Sequence, residues 1–438
     1  MKYLIIGNSA GGIAAAEAIR RIEPRSPITV VSEEPYPAYS RPAIAEYLMG
    51  ERDFDDRMMI RDAEFYTRNS FDTRFGVKVT KLDLEKRQAI LQDGHKLTWD
   101  KLLIATGGSP IVPKMEGLGL EGIHSFVTIE DARKLLKAIE AGAKTIVVIG
   151  GGLIGCSLTH ALLRRGGVEV VLVELKDHVL TTMMDGTGSK VVEEKLKALG
   201  VKLFLGRSVT RILPAAGATK VGAVVLDNDE QITCDAVGMA VGVTPRTELA
   251  KGTTIKVNRG IVVDKHMETS APGVYACGDV AEAYDFILGA NRVVAIWPNA
   301  YIGGLIAGAN MAGVPDEYDG CTAMNAFSYF GMALASAGMF EPDPKEKCEV
   351  MTSQDSKTYK KVVLKDNRIV GFILMGKIEQ AGVLYHLMRD KADVSQFQKS
   401  LTAANFGIVS LPREMRDKWL GAGNGRAPAP ISAEGARS

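Results

Sequence analysis

The chain has few cysteines, and none of them stand close together. Its 438 residues include only Cys156, Cys234, Cys277, Cys321 and Cys348, without a C-x-x-C pair. This spacing excludes an iron–sulfur cluster or a zinc site built by this chain alone. The six histidines are scattered in the same way, so the sequence predicts no metal site.

An excess of charge of one sign and a long apolar run are also missing. Lys and Arg number 53 against 52 for Asp and Glu, which predicts no nucleic-acid partner. No run reaches the roughly 18 apolar residues of a membrane span, so we expect no membrane insertion. Glycines and Glu17 interrupt the apolar N-terminal stretch, which argues against a signal peptide and favours a cytoplasmic protein.

Two glycine-rich turns are present instead, each after a strand-like run and before a helix-like one. The first is Gly7–Gly12 after Tyr3–Ile6, and the second is Gly150–Gly155 after Thr145–Ile149. In the pattern G-x-G-x-x-G, glycine makes a tight turn, lets the backbone approach a pyrophosphate and lets the helix pack on the strand. The second turn matches this pattern fully, whereas the first has Ser9 at the middle position.

Each turn is followed, about 20 residues on, by a strand that ends in an acid, as a ribose hydroxyl requires. The acids are Glu33 and Glu34 after the first turn and Glu174 after the second. A glycine turn alone is often only a tight turn, but strand, turn, helix, strand and acid in order, twice, predict two nucleotides. A carboxylate accepts from a 2′-hydroxyl and repels a 2′-phosphate, so Glu174 predicts NADH over NADPH.

The order of these elements predicts an α/β fold with two Rossmann-like units, one nested in the other. We expect the first unit to span 1–111 and 246–317 and the second 112–245. Residues 318–420 predict a small α+β unit, with a hairpin around Asp366-Asn367 and a helix over 378–390. The Gly-, Ala- and Pro-rich segment 421–438 has the composition of a disordered tail.

Taken together, these motifs resemble the FAD-dependent pyridine nucleotide-disulfide oxidoreductases, the two-dinucleotide flavoproteins. The first turn is similar to the family's FAD site, and Ala105-Thr106-Gly107 to its crossover out of the FAD domain. Cys277-Gly278-Asp279 resembles its second FAD motif. The turn at Gly150 is similar to its NAD(P)H site, with Gly242 in the nicotinamide-side loop.

The resemblance implies that NADH passes hydride to N5 of the flavin, so no side chain is assigned as catalytic, although Glu46 is a candidate near N5. The implied FAD contacts are Gly7, Ser9, Gly11, Gly12, Glu33, Glu34, Arg41, Pro42, Val79, Ala105, Thr106, Gly107, Gly278, Asp279, Trp297, Pro298 and Ala300. The implied NAD contacts are Gly150, Gly152, Leu153, Ile154, Gly155, Glu174 and Gly242. For Trp297, simple packing beside a helix start is an equal alternative, and for Arg41 the alternative is a solvated surface position.

Family members that reduce disulfides or peroxides carry a redox cysteine in the segment that corresponds to 35–48, and this chain has none there. Its Tyr39-Ser40-Arg41-Pro42 instead resembles the ferredoxin, rubredoxin and nitrite reductase-like branch. That resemblance implies electron transfer to or from a separate redox protein, most simply an iron–sulfur protein. The alternatives are a stand-alone NADH oxidase that reduces O2 at the flavin and a non-catalytic, NAD(H)-responsive flavoprotein subunit.

Two positions depart from the family pattern, and the C-terminal unit leaves one question open. Glu46 stands where many relatives have Lys, and Ser157 stands where many have a Glu beside the nicotinamide. The C-terminal unit resembles the family's interface domain, which implies a homodimer or a subunit of a larger oxidoreductase complex. The alternative is that its apolar sheet face packs within the chain.

Overall fold

The computed structural model describes residues 1–420, and the predicted tail at 421–438 lies outside them. The α-helices, in chain order, are α1 (Ala10–Ile22), α2 (Ile44–Met49), α3 (Phe65–Arg68), α4 (Ile129–Glu140), α5 (Leu153–Arg165), α6 (Gly186–Ala198), α7 (Trp297–Met311), α8 (Ala381–Arg389) and α9 (Arg413–Leu420). Among these described residues, no helix is long and apolar enough to cross a membrane.

The first parallel sheet draws its strands from both ends of the first unit. Its order is Val274–Ala276, Lys101–Ile104, Tyr3–Ile6, Ile28–Ser32 and Asp72–Phe75, with every neighbouring pair parallel. The strand at Val274–Ala276 lies far along the chain, yet it pairs with Lys101–Ile104. The first unit is therefore interrupted in sequence and continuous in space, as the nested arrangement predicts.

Helices α1 and α7 pack closely on each other because small residues face across their contact. A Cβ at Gly304 would collide with the backbone of Gly11, and one at Gly308 would collide with the backbone of Ala15. This contact brings the N-termini of both helices to the same edge of the first sheet. Two three-stranded sheets complete this part of the fold. One is antiparallel and contains Val79–Asp83, Gln88–Leu91 and Lys96–Thr98. The other is mixed: Ala281–Asp285 pairs in parallel with Ile261–Val262 and antiparallel with Ala290–Arg292.

The second parallel sheet belongs to the inserted unit. Its order is Lys202–Leu205, Glu169–Glu174, Thr145–Ile149, Ala236–Met239 and Ile123–Ser125. Helices α4, α5 and α6 bury one apolar side of it. The antiparallel strands Val209–Pro214, Val221–Leu226 and Gln231–Thr233 cover the other side.

A two-stranded antiparallel ribbon joins the two nucleotide units. Gly108–Pro110, on the way into the inserted unit, pairs with Val243–Pro245, on the way out. Next to the ribbon, the Arg246 backbone N–H donates to Gly107 over 2.9 Å, and the Thr106 hydroxyl donates to the Arg246 carbonyl over 2.9 Å. The entry and the exit of the inserted unit are thus fixed against each other.

The C-terminal unit is an antiparallel sheet with helices on one side. Its order is Met324–Tyr329, Met332–Gly338, Arg368–Met375, Tyr359–Lys365 and Glu349–Gln354. The hairpin turn lies at Asp366 and Asn367, with φ of 50° and 58°, as predicted. One sheet face packs on α8, and the other, with Phe330 and Leu334, packs into the same core as α2 and α5. The apolar face is therefore covered within the chain.

Candidate functional site

The first glycine turn is shaped by three close approaches to neighbouring atoms. Gly7 has φ of +122°, and a Cβ there would collide with the carbonyl of Ala105. A Cβ at Gly12 would collide with the carbonyl oxygen of Gly7, so the start of α1 lies directly on the strand end. A Cβ at Gly11 would come within 2.7 Å of the Cys277 Sγ. These three positions therefore have no room for a side chain, which explains why the motif has glycine there.

The second predicted FAD motif meets this turn at the start of α7. Gly278 has φ of +75°, and a Cβ on it would lie 3.3 Å from the Cβ of Ala300. Asp279 follows in the same short 3-10 turn, and Pro298 occupies the first turn of α7. Burial raises the pKa of the Asp279 carboxyl, and the nearby Arg41 guanidinium opposes that rise. The residues named from distant motifs are thus brought together.

Three helix N-termini at the predicted nucleotide sites have no side-chain cap. They belong to α1, α5 and α7, whose N-cap residues are Ser9, Gly152 and Ile296. By contrast, Thr128 caps α4 and Asp185 caps α6 through their side chains. An uncapped N-terminus presents free N–H groups and a partial positive charge, which suits a phosphate or another anion.

The acids after the first turn lie in a network of charges. Glu33 pairs with Arg246 Nη1 at 2.8 Å and with Lys78 Nζ at 3.4 Å. Glu34 pairs with the Arg41 guanidinium and accepts from the Tyr39 hydroxyl. The sequence does not predict a role for Arg246, because a basic residue directly after the ribbon strand is too weak a signal.

Arg41 is held in place rather than left free in solvent. Its guanidinium pairs with Glu34 and donates to the Val127 carbonyl over 3.0 Å, and 37% of its side chain is exposed. It also stands close enough to Asp279 to influence that carboxyl. Arg41 therefore connects the first acid pair with the second FAD motif.

The other predicted FAD residues occupy different environments. Val79 is buried at the start of its strand, and Ala105 and Thr106 are half-buried beside the first turn. The Trp297 indole is 39% exposed and stacks on Tyr301, with ring centroids 5.4 Å apart and planes 8° apart. Trp297 already has an aromatic partner in the chain, so its predicted contact with the flavin stays a prediction.

The second glycine turn has the same architecture with one informative difference. A Cβ at Gly155 would collide with the Gly150 carbonyl, and one at Gly150 would come within 2.5 Å of the Ala240 carbonyl oxygen. A Cβ at Gly152 would meet no atom within 4 Å. Gly152 therefore borders open space at the N-terminus of α5, where the sequence predicts a pyrophosphate.

Glu174 is fixed under this turn by the backbone. Its carboxylate accepts from the N–H groups of Gly151 and Lys176, the latter at 2.8 Å. Leu153 and Ile154 follow in the first turn of α5 and remain half-exposed. Gly242, with φ of +117°, accepts from the Ile111 N–H over 2.9 Å where the chain leaves the inserted unit.

A cavity of ≈ 580 Å³ lies between α2, α5, α6 and the turn of the C-terminal sheet at 328–331. Its wall includes Pro42, Glu46, His160 and Tyr329. The Glu46 carboxylate pairs with Arg52 Nε at 2.5 Å, so its charge is balanced within the chain. Within residues 1–420, no group of three or more His, Cys, Asp or Glu side chains is arranged to hold a metal ion.

Two nested dinucleotide units with uncapped helix ends at both glycine turns define a two-dinucleotide flavoprotein. Comparison with family models gives the same answer. Residues 1–304 match the model described as pyridine nucleotide-disulphide oxidoreductase, and residues 324–392 match the rubredoxin NAD+ reductase C-terminal domain. The chain belongs to the pyridine nucleotide-disulphide oxidoreductase family. It is an NAD(P)H-dependent oxidoreductase with FAD and NAD(H) as its cofactors.

Known relatives agree with this assignment. The chain is 31% identical to the epsilon subunit of NADH-dependent phenylglyoxylate dehydrogenase from Aromatoleum evansii, over 92% of this chain and 94% of that one. It is 29% identical to a nitrite reductase from Bacillus subtilis over 91% of its length, but it spans only 48% of that protein. Among solved structures, an NAD-dependent persulfide reductase from A. fulgidus superimposes with a TM-score of 0.84 at 26% identity, covering 91% of this chain and 79% of that chain.

Proposed function

We propose that the protein is an NADH-preferring flavoprotein that passes electrons from NADH, through FAD, to a separate iron–sulfur protein. Oxidised FAD, when bound, would accept the hydride of NADH, and the flavin so reduced would release its electrons one at a time, which suits a one-electron partner. The observation that carries the proposal is the lack of a usable thiol. The segment 35–48 has no cysteine. Two cysteines in the nucleotide units, Cys156 and Cys277, are buried, and burial raises the pKa of their thiols so that they stay protonated.

The buried cysteines are poor redox groups for a clear physical reason. The thiolate is the reactive form, and burial raises the pKa of Cys277 to about 12 and raises that of Cys156 further. Neither thiol is then ionised to a useful extent near neutral pH. A disulfide or sulfenate relay within the chain is therefore disfavoured, and electrons leave for a partner molecule.

The roles of the chain's residues follow from their positions. The N-termini of α1 and α5 hold the two pyrophosphates, with Gly152 leaving room for the second. Glu174 accepts from the ribose hydroxyls of NADH. Arg41 and Asp279 fix the FAD between the two halves of the first unit, and the N-terminus of α7 favours negative charge on the flavin. Glu46, balanced by Arg52, stays a minor candidate at the cavity wall.

The partner and the assembly are supported by the relatives' names alone. The C-terminal family model carries the name of rubredoxin NAD+ reductase, and the Aromatoleum relative is a subunit of a larger dehydrogenase. We propose that this chain acts likewise with an iron–sulfur protein, as a homodimer or as a subunit of an oxidoreductase complex in the cytoplasm.

The test is anaerobic turnover of the FAD-loaded protein with NADH and a rubredoxin or ferredoxin. We expect NADH to bleach the flavin band and the iron–sulfur protein to be reduced in proportion to the NADH consumed. NADPH under the same conditions should give a lower kcat/KM.

Aerobic turnover without any protein acceptor is the matching control. Fast NADH consumption that depends on O2 and ignores the iron–sulfur protein would overturn the electron-transfer proposal in favour of an NADH oxidase. Failure of NADH to bleach the flavin would overturn both and favour a non-catalytic, NAD(H)-responsive subunit.

A further inference from the structure

We infer that Tyr39 is a positioning residue for hydride transfer, because its hydroxyl joins the FAD unit to the inserted unit. On one side the hydroxyl bonds to Glu34, an acid predicted to contact FAD, and on the other side to the first turn of α4. FAD bound at Glu34 then fixes the orientation of the inserted unit. This inference rests on the proposed function, in which NADH bound at α5 reduces the flavin.

The chain enters and leaves the inserted unit through a two-stranded ribbon, formed by Gly108–Pro110 and Val243–Pro245. A unit that is held at one hinge can rotate about it. Hydride transfer needs the reacting atoms about 3–3.5 Å apart, and a misplacement of about 1 Å can slow a reaction about 100-fold. A second attachment, away from the ribbon, is therefore needed to hold NADH in a productive position.

Tyr39 provides such an attachment at the start of α4. The residue is buried, and its hydroxyl accepts from the Ile129 backbone N–H over 3.1 Å and donates to the Glu34 carboxylate. Burial raises the pKa of the Tyr39 phenol, so it keeps the hydrogen that it donates at neutral pH. One hydroxyl group thus bonds to both nucleotide units at once.

Arg41 reinforces this connection from the same carboxylate. Its guanidinium pairs with Glu34 and donates to the Val127 carbonyl over 3.0 Å, two residues before Ile129. The two oxygens of a carboxylate offer about four acceptor sites, so ribose hydroxyls find acceptors on Glu34 beside Tyr39 and Arg41. Glu34 is therefore able to bind FAD and to hold α4 at the same time.

A second contact connects the first glycine turn with α4. The Asn8 side chain donates to the Tyr36 carbonyl over 3.2 Å. The Tyr36 hydroxyl donates to the Glu130 carboxylate and accepts from Arg133 Nη1 over 2.7 Å. The Arg133 guanidinium also lies over the Tyr36 ring, 5.3 Å from its centroid. Both contacts bind the same end of α4 to residues next to the predicted FAD site.

The position of α4 is shared by α5, the helix at the proposed NADH site. Ile129 and Ala132 of α4 and Leu158 of α5 belong to one buried apolar core. Protein interiors are packed too densely for one helix to shift while its neighbours stay in place. The contacts that fix α4 therefore also fix α5, and with it the bound NADH.

The first test compares hydrogen exchange in the wild type and in Tyr39→Phe, each without FAD and with FAD in excess. Exchange is measured by mass spectrometry in a peptide that covers residues 127–135. FAD should slow this exchange about tenfold in the wild type and about twofold or less in Tyr39→Phe, because the variant lacks a hydrogen bond to a charged group. Tyr36→Phe should weaken the response to FAD in the same direction. Equal slowing in the wild type and Tyr39→Phe would overturn the inference.

The second test separates the position of NADH from its binding. Stopped-flow reduction of the FAD-loaded Tyr39→Phe variant should show a limiting rate at saturating NADH about tenfold below the wild-type rate. The Kd for ADP-ribose, measured by calorimetry, should stay at the wild-type value, because ADP-ribose lacks the nicotinamide and binds within the inserted unit. An unchanged limiting rate, or an equal loss of ADP-ribose affinity, would contradict a positioning role.

Tyr359→Phe is the matched control for both tests. Tyr359 is also buried, and its hydroxyl donates to the Asp185 carboxylate over 2.6 Å at the junction of the inserted and C-terminal units. This variant should lower the Tm but keep the wild-type response to FAD and the wild-type limiting rate. If it slows flavin reduction as much as Tyr39→Phe does, the effect is one of stability and the inference fails. If NADH does not reduce the wild-type flavin, the proposed function fails, whereas the exchange test, which needs FAD alone, still decides whether Tyr39 connects FAD to α4.

Discussion

Glu174, the proposed ribose ligand, has a fixed geometry. Two backbone N–H groups, from Gly151 and Lys176, hold its carboxylate at the end of the strand. A carboxylate held this firmly cannot turn away from an arriving 2′-phosphate, whose charge it repels. The proposed preference for NADH therefore depends on the charge of one side chain rather than on the shape of the turn.

Glu174→Gln should lower the ratio of kcat/KM for NADH to that for NADPH about tenfold, because a charged acceptor becomes a neutral one. The ratio is measured by steady-state reduction of ferricyanide with each nucleotide. Glu169→Gln is the control, since Glu169 lies on the same strand, is exposed and pairs with Lys202 Nζ at 3.3 Å. An unchanged ratio in Glu174→Gln would contradict the role given to this carboxylate.

We expect Arg41 to contribute strongly to the affinity for FAD. Its guanidinium binds Glu34 and the Val127 carbonyl together, a fork that lysine cannot reproduce. We expect Arg41→Gln and Arg41→Lys to raise the Kd for FAD about tenfold or more, measured by reconstituting the apoprotein with FAD. Arg57→Gln, at an exposed arginine paired with Asp55, should retain FAD like the wild type. Equal FAD retention in all three variants would argue for a purely surface role.

In the second glycine turn, we expect one glycine to matter for NAD+ binding and another for the stability of the fold. Gly152→Ala places a methyl group in open space, so the Tm should stay near the wild-type value while the Kd for NAD+ rises about tenfold or more. Gly155→Ala forces a methyl group onto the Gly150 carbonyl, and this overpacking should cost about 1–3 kcal/mol of stability. Calorimetry of both variants, for melting and for NAD+ binding, checks the contrast. A lower Tm in Gly152→Ala with unchanged NAD+ affinity would contradict it.

The glycine turns also show which features of the structure could be predicted from the sequence. A glycine motif, the strand before it and the acid after it are local signals, so the nested α/β fold could be predicted. The individual nucleotide contacts stay predictions. Pro298 in the first turn of α7 is another local signal, because proline is favoured at the start of a helix. Ion pairs such as Glu33 with Arg246 join residues far apart in the chain. The residues next to Glu33 and Arg246 in the sequence do not indicate that these two will meet. Contacts of this kind depend on the packed fold and could not be predicted.

The C-terminal unit is joined to the inserted unit by polar contacts as well as by its apolar face. Asp185, the N-cap of α6, accepts from the Tyr359 hydroxyl at 2.6 Å and from Lys361 Nζ at 2.8 Å. Both charged side chains are nearly buried, at 10% and 12% exposure. Together with the hydrogen bond from the Phe330 N–H to His160, these contacts join the C-terminal unit to the inserted unit.

Asp185→Asn should weaken that connection strongly, because it leaves the Lys361 ammonium buried without a counter-charge. Breaking a buried pair in this way costs about 3–5 kcal/mol, and we expect the lower end because asparagine still caps α6. The loss should appear as faster hydrogen exchange in α6 and in the strand Tyr359–Lys365. Lys361→Met in the same chain should restore part of it. If Asp185→Asn matches the wild type in exchange rate and in Tm at neutral pH, the connection is not what holds the two units together.

The pH dependence of the same pair has a definite sign. Burial alone would raise the pKa of Asp185, but the hydrogen bonds from Lys361 and Tyr359 outweigh it and lower the pKa below the ordinary value. A carboxyl with a lowered folded-state pKa stabilises the fold above its unfolded pKa of about 3.9, and that contribution is lost as the pH falls through the folded pKa. The difference in Tm between the wild type and Asp185→Asn should therefore be full at pH 6–7 and shrink below about pH 4. A difference that stays constant down to pH 3 would show that the ionised carboxylate contributes nothing to the junction, and that the apolar face alone joins the C-terminal unit to the rest of the chain.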